Sequence, residues 1–229
     1  MVSGNTEHGR LHVGPLGPVE AHPRPEYRRV SRTTAERVAE AAVLLPGAEL
    51  IYGGGDAIFR PYRRVRLGFN SWIFGLRSLH TDHRLHWFVR SLEAILKLPR
   101  RRITATFVAR GQELVGFSRR NERMLQQLYN LRSCVEHVKE FRRELRKPRG
   151  IQKDQAFAFW SLCAELFASE VYKKILVRPD LRECFRDEKR ANGFWRRNAV
   201  RRAELIGPPI DAWALARESF RQTLPEPWL

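Results

Sequence analysis

The sequence has few cysteines and no long apolar run, and both features limit the kinds of protein that it can be. Its three cysteines, Cys134, Cys163 and Cys184, match no zinc-ligand spacing, and their apolar surroundings predict buried thiols in a reducing compartment. No apolar stretch approaches the roughly 20 residues of a transmembrane helix. Residues 1–10 lack the apolar segment of a secretory signal. We therefore expect a cytoplasmic protein with no membrane partner, no metal and no other cofactor.

Acidic residues are scarce relative to basic ones. The 229 residues include 25 Asp and Glu against 42 Lys and Arg, which gives a net charge of +17 and a pI of about 10.9. Such a balance favours a polyanionic partner, more often a nucleic acid than an anionic membrane surface. Few of the cations are lysine, so the codon bias of a GC-rich genome is the alternative explanation of the charge.

Apolar periodicity predicts a mainly α fold. Apolar residues at alternating steps of three and four predict one continuous helix over 121–147. Similar patterns predict three further helices, at 81–98, 103–117 and 153–176. Residues 49–52 and 64–69 have strand character, because apolar residues alternate in the second of these stretches. The predicted fold is a helical bundle with a small mixed α/β or irregular N-terminal region.

Composition and periodicity divide the chain into four parts. Residues 1–33 are rich in Gly, Pro, His and Arg, which predicts a flexible arm. Residues 34–80 form a mixed N-terminal region, whose first helix is predicted to end at Pro46-Gly47. The helical bundle is predicted over 81–190, and a helical C-terminal tail over 191–229.

Four polar residues with recognisable chemistry lie in the helix predicted over 121–147: Tyr129, Arg132, Ser133 and His137. Arginine binds phosphate through a planar fork of donors, and histidine transfers protons near neutral pH. On a straight helix Arg132 and His137 lie about 140° apart. They can therefore clasp one phosphate only if the helix distorts near Ser133 or two copies pack around a two-fold axis. The alternative is a solvated helix face on which Arg132 pairs with Glu136.

These residues belong to a pattern that resembles a known family. Tyr129-x-x-Arg132-Ser133-x-x-x-His137 resembles the signature of the HEPN superfamily, most closely that of its Apea-like branch. Upstream, the stretch 92–96 (Leu-Glu-Ala-Ile-Leu) resembles the Leu-Glu-Ala motif of that branch, and 109–116 resembles its intervening helix. The resemblance spans residues 84–146. It departs from the branch after the histidine, where Val138 and Lys139 stand in place of the usual glycine.

The resemblance implies an all-α HEPN-like bundle that acts as a metal-independent endoribonuclease in toxin–antitoxin or antiphage systems. By that resemblance Arg132 and His137 are the catalytic pair, and Ser133 takes the polar position after the arginine. Tyr129 is a candidate to orient the phosphate. We expect an RNA substrate, a product with a 2′,3′-cyclic phosphate and an antitoxin or defence-system partner. We also expect a homodimer with its active site near the two-fold axis.

Clusters of arginine beside the predicted helices are candidate contacts to an RNA backbone. These residues are Arg100, Arg101, Arg102, Arg142, Arg143 and Arg146. Solvated helix ends are the alternative reading of the same residues. Two other functions stay open: a non-catalytic nucleic-acid-binding regulatory module on the same bundle, and a structural helical adaptor.

Overall fold

Helices account for most of the residues whose structure is described. The computed structural model describes residues 5–7, 10–12, 43–49, 61–137, 140, 143–153 and 155–223. The chain separates into two units, Met1–Glu40 and Ala41–Leu229. The predicted mainly α fold is confirmed.

The first unit contains a short β-hairpin within the arm predicted over 1–33. Strand β1 (Asn5–Glu7) pairs antiparallel with β2 (Arg10–His12), with Asn5 opposite His12. These two strands were not predicted from the sequence. The rest of the predicted arm lies outside the described residues.

The second unit consists of helices. Helix α1 covers the helical residues 43–49. The others are α2 (Arg63–Arg77), α3 (Thr81–Leu96), α4 (Ile103–Val115), α5 (Arg119–Glu136), α6 (Ala156–Val177), α7 (Pro179–Glu183), α8 (Glu188–Arg196), α9 (Ala199–Ile206) and α10 (Ala212–Thr223). Among the residues that the structure describes, no helix combines the length and the hydropathy that a transmembrane segment requires.

Two predictions about the N-terminal part of this unit are wrong. Helix α1 continues through Pro46 and Gly47, where a helix end was predicted, and Gly47 lies against α6: an added Cβ would stand 2.2 Å from the Leu176 carbonyl oxygen. The predicted strand at 64–69 is part of helix α2. A short apolar run does not distinguish strand from helix, and packing decides here because Val65 and Gly68 are buried.

The helix predicted over 121–147 is also too long. Helix α5 begins after Ser118, whose hydroxyl accepts a hydrogen bond from the Asn121 amide, and it ends at Glu136. Residues 143–153 contain no helix. Side chains of the bundle hold this segment, since Gln127 donates to the Glu144 carbonyl and the Trp160 indole donates to the Arg146 carbonyl, both at 2.8 Å.

Helices α3 and α6 form the centre of the core. As predicted, α6 is buried around much of its circumference, and it packs along α3. The apolar residues of α3 that face the core are Leu85, Phe88, Val89, Leu92, Ile95 and Leu96. Helix α8 closes one side of α3, where the buried Trp195 donates its indole N–H to the Ile95 carbonyl at 3.1 Å. The three cysteines are buried, as the sequence predicted, and they form no disulfide with one another.

Candidate functional site

Helices α3 and α5 pack side by side and bring two separate sequence motifs together. Glu93 follows the buried Leu92 on α3, and Arg132 follows the buried Leu131 on α5. Their side chains form an ion pair, with Arg132 Nη2 at 3.2 Å from Glu93 Oε2. Arg132 Nη1 also donates to Glu136, one helical turn further along α5. The buried guanidinium of Arg132 is thus held between two carboxylates.

Arg90 completes a network of four charges. It lies one turn before Glu93 on α3, and its Nη1 is 3.7 Å from Glu93 Oε2 and 3.9 Å from Glu136 Oε1. Both distances exceed that of a hydrogen bond, so Arg90 interacts with the carboxylates through charge. Two arginines and two glutamates therefore balance one another in this network.

This network forms part of the wall of an open cavity of about 500 Å³. Its charged lining residues are Arg64, Arg90, Glu93, Arg132 and Glu136. Its apolar lining residues are Leu67, Ala94, Leu98, Pro99 and Ile103. The cavity thus combines three guanidinium groups, two carboxylates and an apolar wall. We call it the arginine cavity.

Arg64 brings a further positive charge from α2. Its guanidinium donates to the carboxylate of Glu188 at 2.8 Å and to the Ala94 carbonyl at 3.2 Å. Burial lowers the pKa of this guanidinium. Glu188 also pairs with Lys97, so one carboxylate serves two cations and this side of the cavity is positive.

The predicted cluster of Arg100, Arg101 and Arg102 lies at the edge of the same cavity. All three side chains are exposed, and in the chain they stand between Pro99 and Ile103, which both line the cavity. Their position suits an anion that extends out of the cavity.

Burial and the neighbouring charges change the acidity of three groups around Arg132. Burial raises the pKa of Glu93, against the opposing effect of the positive charges of Arg132 and Arg90. Burial, followed by the negative charge of Glu93, raises the pKa of Tyr129. Burial, followed by the positive charge of Arg132, lowers the pKa of His86. Glu93 is therefore a carboxyl that ionises less readily than usual.

Tyr129 lines the arginine cavity together with Arg132. Its ring centroid is 5.2 Å from that of Phe107 and 5.9 Å from Arg132 Cζ. The tyrosine ring thus supports the guanidinium from the core side, within the range of a cation–π interaction.

Ser133 and His137 have other surroundings. Ser133 lines a second cavity, of about 330 Å³, together with Cys134, Glu140 and Arg143. His137 follows the last residue of α5 as its C-cap, and its backbone N–H donates to the Ser133 carbonyl at 3.1 Å. The His137 side chain is exposed. It is not among the residues that line the arginine cavity.

The described chain therefore does not bring Arg132 and His137 into one cavity. The helix is continuous through Ser133, where a distortion was one of the two routes that would join them. Their meeting across a two-fold axis stays a prediction.

No family model, curated protein or solved structure matches this chain.

The remaining predicted RNA contacts are spread over the molecule. Arg143 is exposed and lies 3.9 Å from Glu140, at the second cavity. Arg146 is exposed, and Arg142 lies outside the described residues. Arg143 thus lines the second cavity, whereas Arg100, Arg101 and Arg102 stand in the chain between two residues of the arginine cavity.

Several residues of the arginine cavity were not predicted from the sequence. Arg90 could have been found from the sequence, because it stands three residues before Glu93 in a predicted helix, a spacing that places two side chains on one face. Arg64 could not have been found in this way, because a strand was predicted at its position. His86 is a further titratable group close to Arg132. Its half-buried ring packs edge-on against Trp87, and its buried Nδ1 has no hydrogen-bond partner among the described residues.

Proposed function

We propose that this protein is a metal-independent endoribonuclease of the HEPN type. One observation carries the proposal: the two separated parts of the HEPN-like pattern, Glu93 on α3 and Arg132 on α5, form an ion pair on the wall of a cavity. The glutamate of the Leu-Glu-Ala motif and the arginine of the Arg–His motif thus lie at one cavity. This pairing supports the resemblance independently of the sequence spacing.

RNA is the substrate that the charge of the cavity favours. Three guanidinium groups outnumber two carboxylates in its lining, and Arg100, Arg101 and Arg102 add positive charge at its edge. Phosphate groups bind such arrangements strongly, and the apolar wall provides a surface for a base or a ribose. The net charge of +17 would attract the polyanion over a longer range.

Cleavage of RNA without a metal requires proton transfer and charge stabilisation. The 2′-OH attacks the neighbouring phosphorus atom, and the leaving 5′-oxygen needs a proton. His137 suits this transfer, because its imidazole is exposed at the end of α5 and histidine is the side chain that most often transfers protons in catalysis. Arg132 organises the charged wall of the cavity. The product would carry a 2′,3′-cyclic phosphate.

We propose that a second copy of the chain completes the site. His137 does not line the arginine cavity of its own chain, and a two-fold axis near the end of α5 would bring the imidazole of one copy towards the cavity of the other. Such a homodimer would act in the cytoplasm as a toxin or antiphage effector, under the control of an antitoxin or a defence-system partner.

A second candidate is a regulatory module that binds RNA without cleaving it. It is favoured by the engagement of both terminal nitrogens of Arg132 by carboxylates, and by the position of His137 outside the cavity. In this case the arginine cavity would hold a phosphate or a nucleotide, and His137 would be an ordinary surface residue.

Incubation of the purified protein with total RNA in EDTA, followed by analysis of the RNA ends, tests the proposal. We expect cleavage with 2′,3′-cyclic phosphate ends, no cleavage of DNA, and loss of cleavage in His137→Ala. The matched control is His83→Ala, which removes another exposed imidazole, from α3. Equal cleavage by His137→Ala and the parent would overturn the assignment of His137. Salt-sensitive binding without cleavage would instead establish the second candidate.

A further inference from the structure

The four charges on the wall of the arginine cavity differ strongly in exposure. The side chains of Arg132 and Glu93 are only 7% and 14% exposed. Those of Arg90 and Glu136 are 52% and 35% exposed. The network thus has a buried half and a half that faces solvent. A ligand in the cavity reaches the second half first.

Arg132 has little capacity left for a phosphate. Its Nη1 donates to Glu136 and its Nη2 donates to Glu93, and its Nε is buried. A phosphate that bound this guanidinium through both terminal nitrogens would compete with these two carboxylates. Displacement of Glu93 would leave a carboxylate without its partner in a largely buried position, which is energetically costly.

Arg90 has the capacity that Arg132 lacks. Its guanidinium lies 3.7 Å or more from each carboxylate oxygen with which it pairs, and no hydrogen bond from it to another described residue is formed. Its donors can therefore form the two parallel hydrogen bonds by which a guanidinium holds a phosphate. Because it lines the cavity from α3, it also has the right location.

Glu136 presents an acceptor to the same space. Its Oε2 accepts from Arg132, whereas its Oε1 lies 3.9 Å from Arg90 and accepts no hydrogen bond from a described residue. Glu136 is the last residue of α5, directly before His137. Its carboxylate is thus oriented by Arg132 on one oxygen and open on the other.

We infer that Arg90 binds the reacting phosphate and that Glu136 accepts the proton of the 2′-OH, while Arg132 and Glu93 position them. This inference rests on the proposed ribonuclease function and changes the part played by the arginine of the HEPN-like motif. Arg90 and Glu136 are then catalytic residues, and Arg132 is a positioning residue.

The step balances without a further reactant. Glu136 takes the 2′-OH proton as the 2′-oxygen forms a bond to phosphorus. The bond from phosphorus to the 5′-oxygen breaks, and the imidazolium of His137, supplied by the second copy, protonates that oxygen. The products are a 2′,3′-cyclic phosphate and a 5′-OH. Proton exchange with water then restores the carboxylate and the imidazolium.

Three substitutions test the assignment through the separation of kcat from KM. Arg90→Gln should raise KM for RNA about tenfold, because a charged hydrogen-bonded contact is lost. It should also reduce the salt dependence of binding by about 0.7 in slope. Glu136→Gln should lower kcat on the order of 10²- to 10⁴-fold at nearly unchanged KM. Arg132→Lys should lower kcat by misplacing the Glu136 carboxylate, with KM within about twofold of the parent because the lysine does not contact the phosphate.

Two control variants match these changes in charge. Arg123→Gln and Glu122→Gln each alter an exposed residue of α5 that does not line the arginine cavity, and both should behave as the parent. Melting temperatures of all variants identify any loss of activity that follows from unfolding.

The outcomes separate this inference from the function on which it rests. If the parent cleaves RNA and both Arg90→Gln and Glu136→Gln match it, only the inference is overturned. If the parent binds RNA without cleaving it, the role of Glu136 is overturned, and the affinity of Arg90→Gln still decides whether Arg90 holds the phosphate. If the parent neither binds nor cleaves RNA, the proposed function fails, and the inference fails with it.

Discussion

Tyr172 on α6 donates its hydroxyl to the backbone carbonyl of Ser91 on α3, at 3.0 Å in the buried core. Ser91 stands two residues before Glu93, so this bond fixes α3 at the height of the arginine cavity. Gly68 of α2 lies against the same two residues: an added Cβ would stand 2.1 Å from Tyr172 Oη and 3.0 Å from the Ser91 carbonyl oxygen. Three helices therefore meet behind the candidate site.

Tyr172→Phe should destabilise the protein by about 1 kcal/mol, the net contribution of one buried hydrogen bond. Urea denaturation measures the free energy of unfolding. The control is Tyr129→Phe, because the structure shows no hydrogen bond from that hydroxyl to a described residue, and its effect should be smaller. Equal losses in the two variants would contradict a special role of the Tyr172 bond.

Gly68→Ala should destabilise the protein by roughly 1–3 kcal/mol, because the added methyl group overpacks the junction of α2, α3 and α6. In addition to Tyr172, its Cβ would stand 2.7 Å from that of Ala94, so α2 would have to move. Gly193→Ala in α8 is the matched control, since its Cβ would meet nothing within 4 Å. That control should stabilise the protein by up to about 1 kcal/mol through helix propensity. Thermal unfolding of the two variants distinguishes packing from propensity.

Arg132→Ala should destabilise the protein by about 3–5 kcal/mol, because it leaves Glu93 largely buried and without its closest cation. The double variant Arg132→Ala/Glu93→Gln should be more stable than Arg132→Ala alone, since the second change removes that buried charge. A double-mutant cycle of unfolding free energies measures the coupling. Additive losses would show that the two side chains do not interact.

The raised pKa of Glu93 predicts a pH dependence of stability. Burial makes the folded protein hold the carboxyl proton of Glu93 more tightly than the unfolded chain does. At pH values just above the ordinary carboxyl pKa, folding is therefore accompanied by the uptake of a proton. Stability should therefore fall as the pH rises through that window, and Glu93→Gln should lack this fall.

Unfolding free energies between about pH 4 and pH 7 measure the effect as a difference between the parent and Glu93→Gln. His86 has a lowered pKa, so it contributes a rise in stability with pH in an overlapping range. Since both proteins contain His86, its contribution largely cancels in the difference. A difference that does not change with pH would contradict the raised pKa of Glu93.

Much of the helical framework was predictable from local patterns. The apolar stripes of α3, α4 and α6 predicted those helices to within a few residues. The ion pair of Arg132 with Glu136 was expected only under the alternative reading of a solvated helix face, and it forms although Arg132 is buried. The strand predicted at 64–69 was wrong. The alternation of apolar residues there is also compatible with a helix, and the segment forms part of helix α2, which packs against α3 and α6. The end of α5 was also missed, since Leu145 packs on the core from a segment that is not helical.

Helix periodicity, capping and charge are properties of neighbours along the chain, and the order of residues alone therefore accounted for the mainly α fold and for the basic character of the protein. The partners of Arg132 depended on the tertiary packing of the helices. Glu93 is 39 positions away and shares α3 with Arg90, and Arg64 comes from α2. These groups share a cavity because helices pack by burying apolar faces, and His137 is not among the residues that line it. Side chains distant in sequence become neighbours only when the whole core forms.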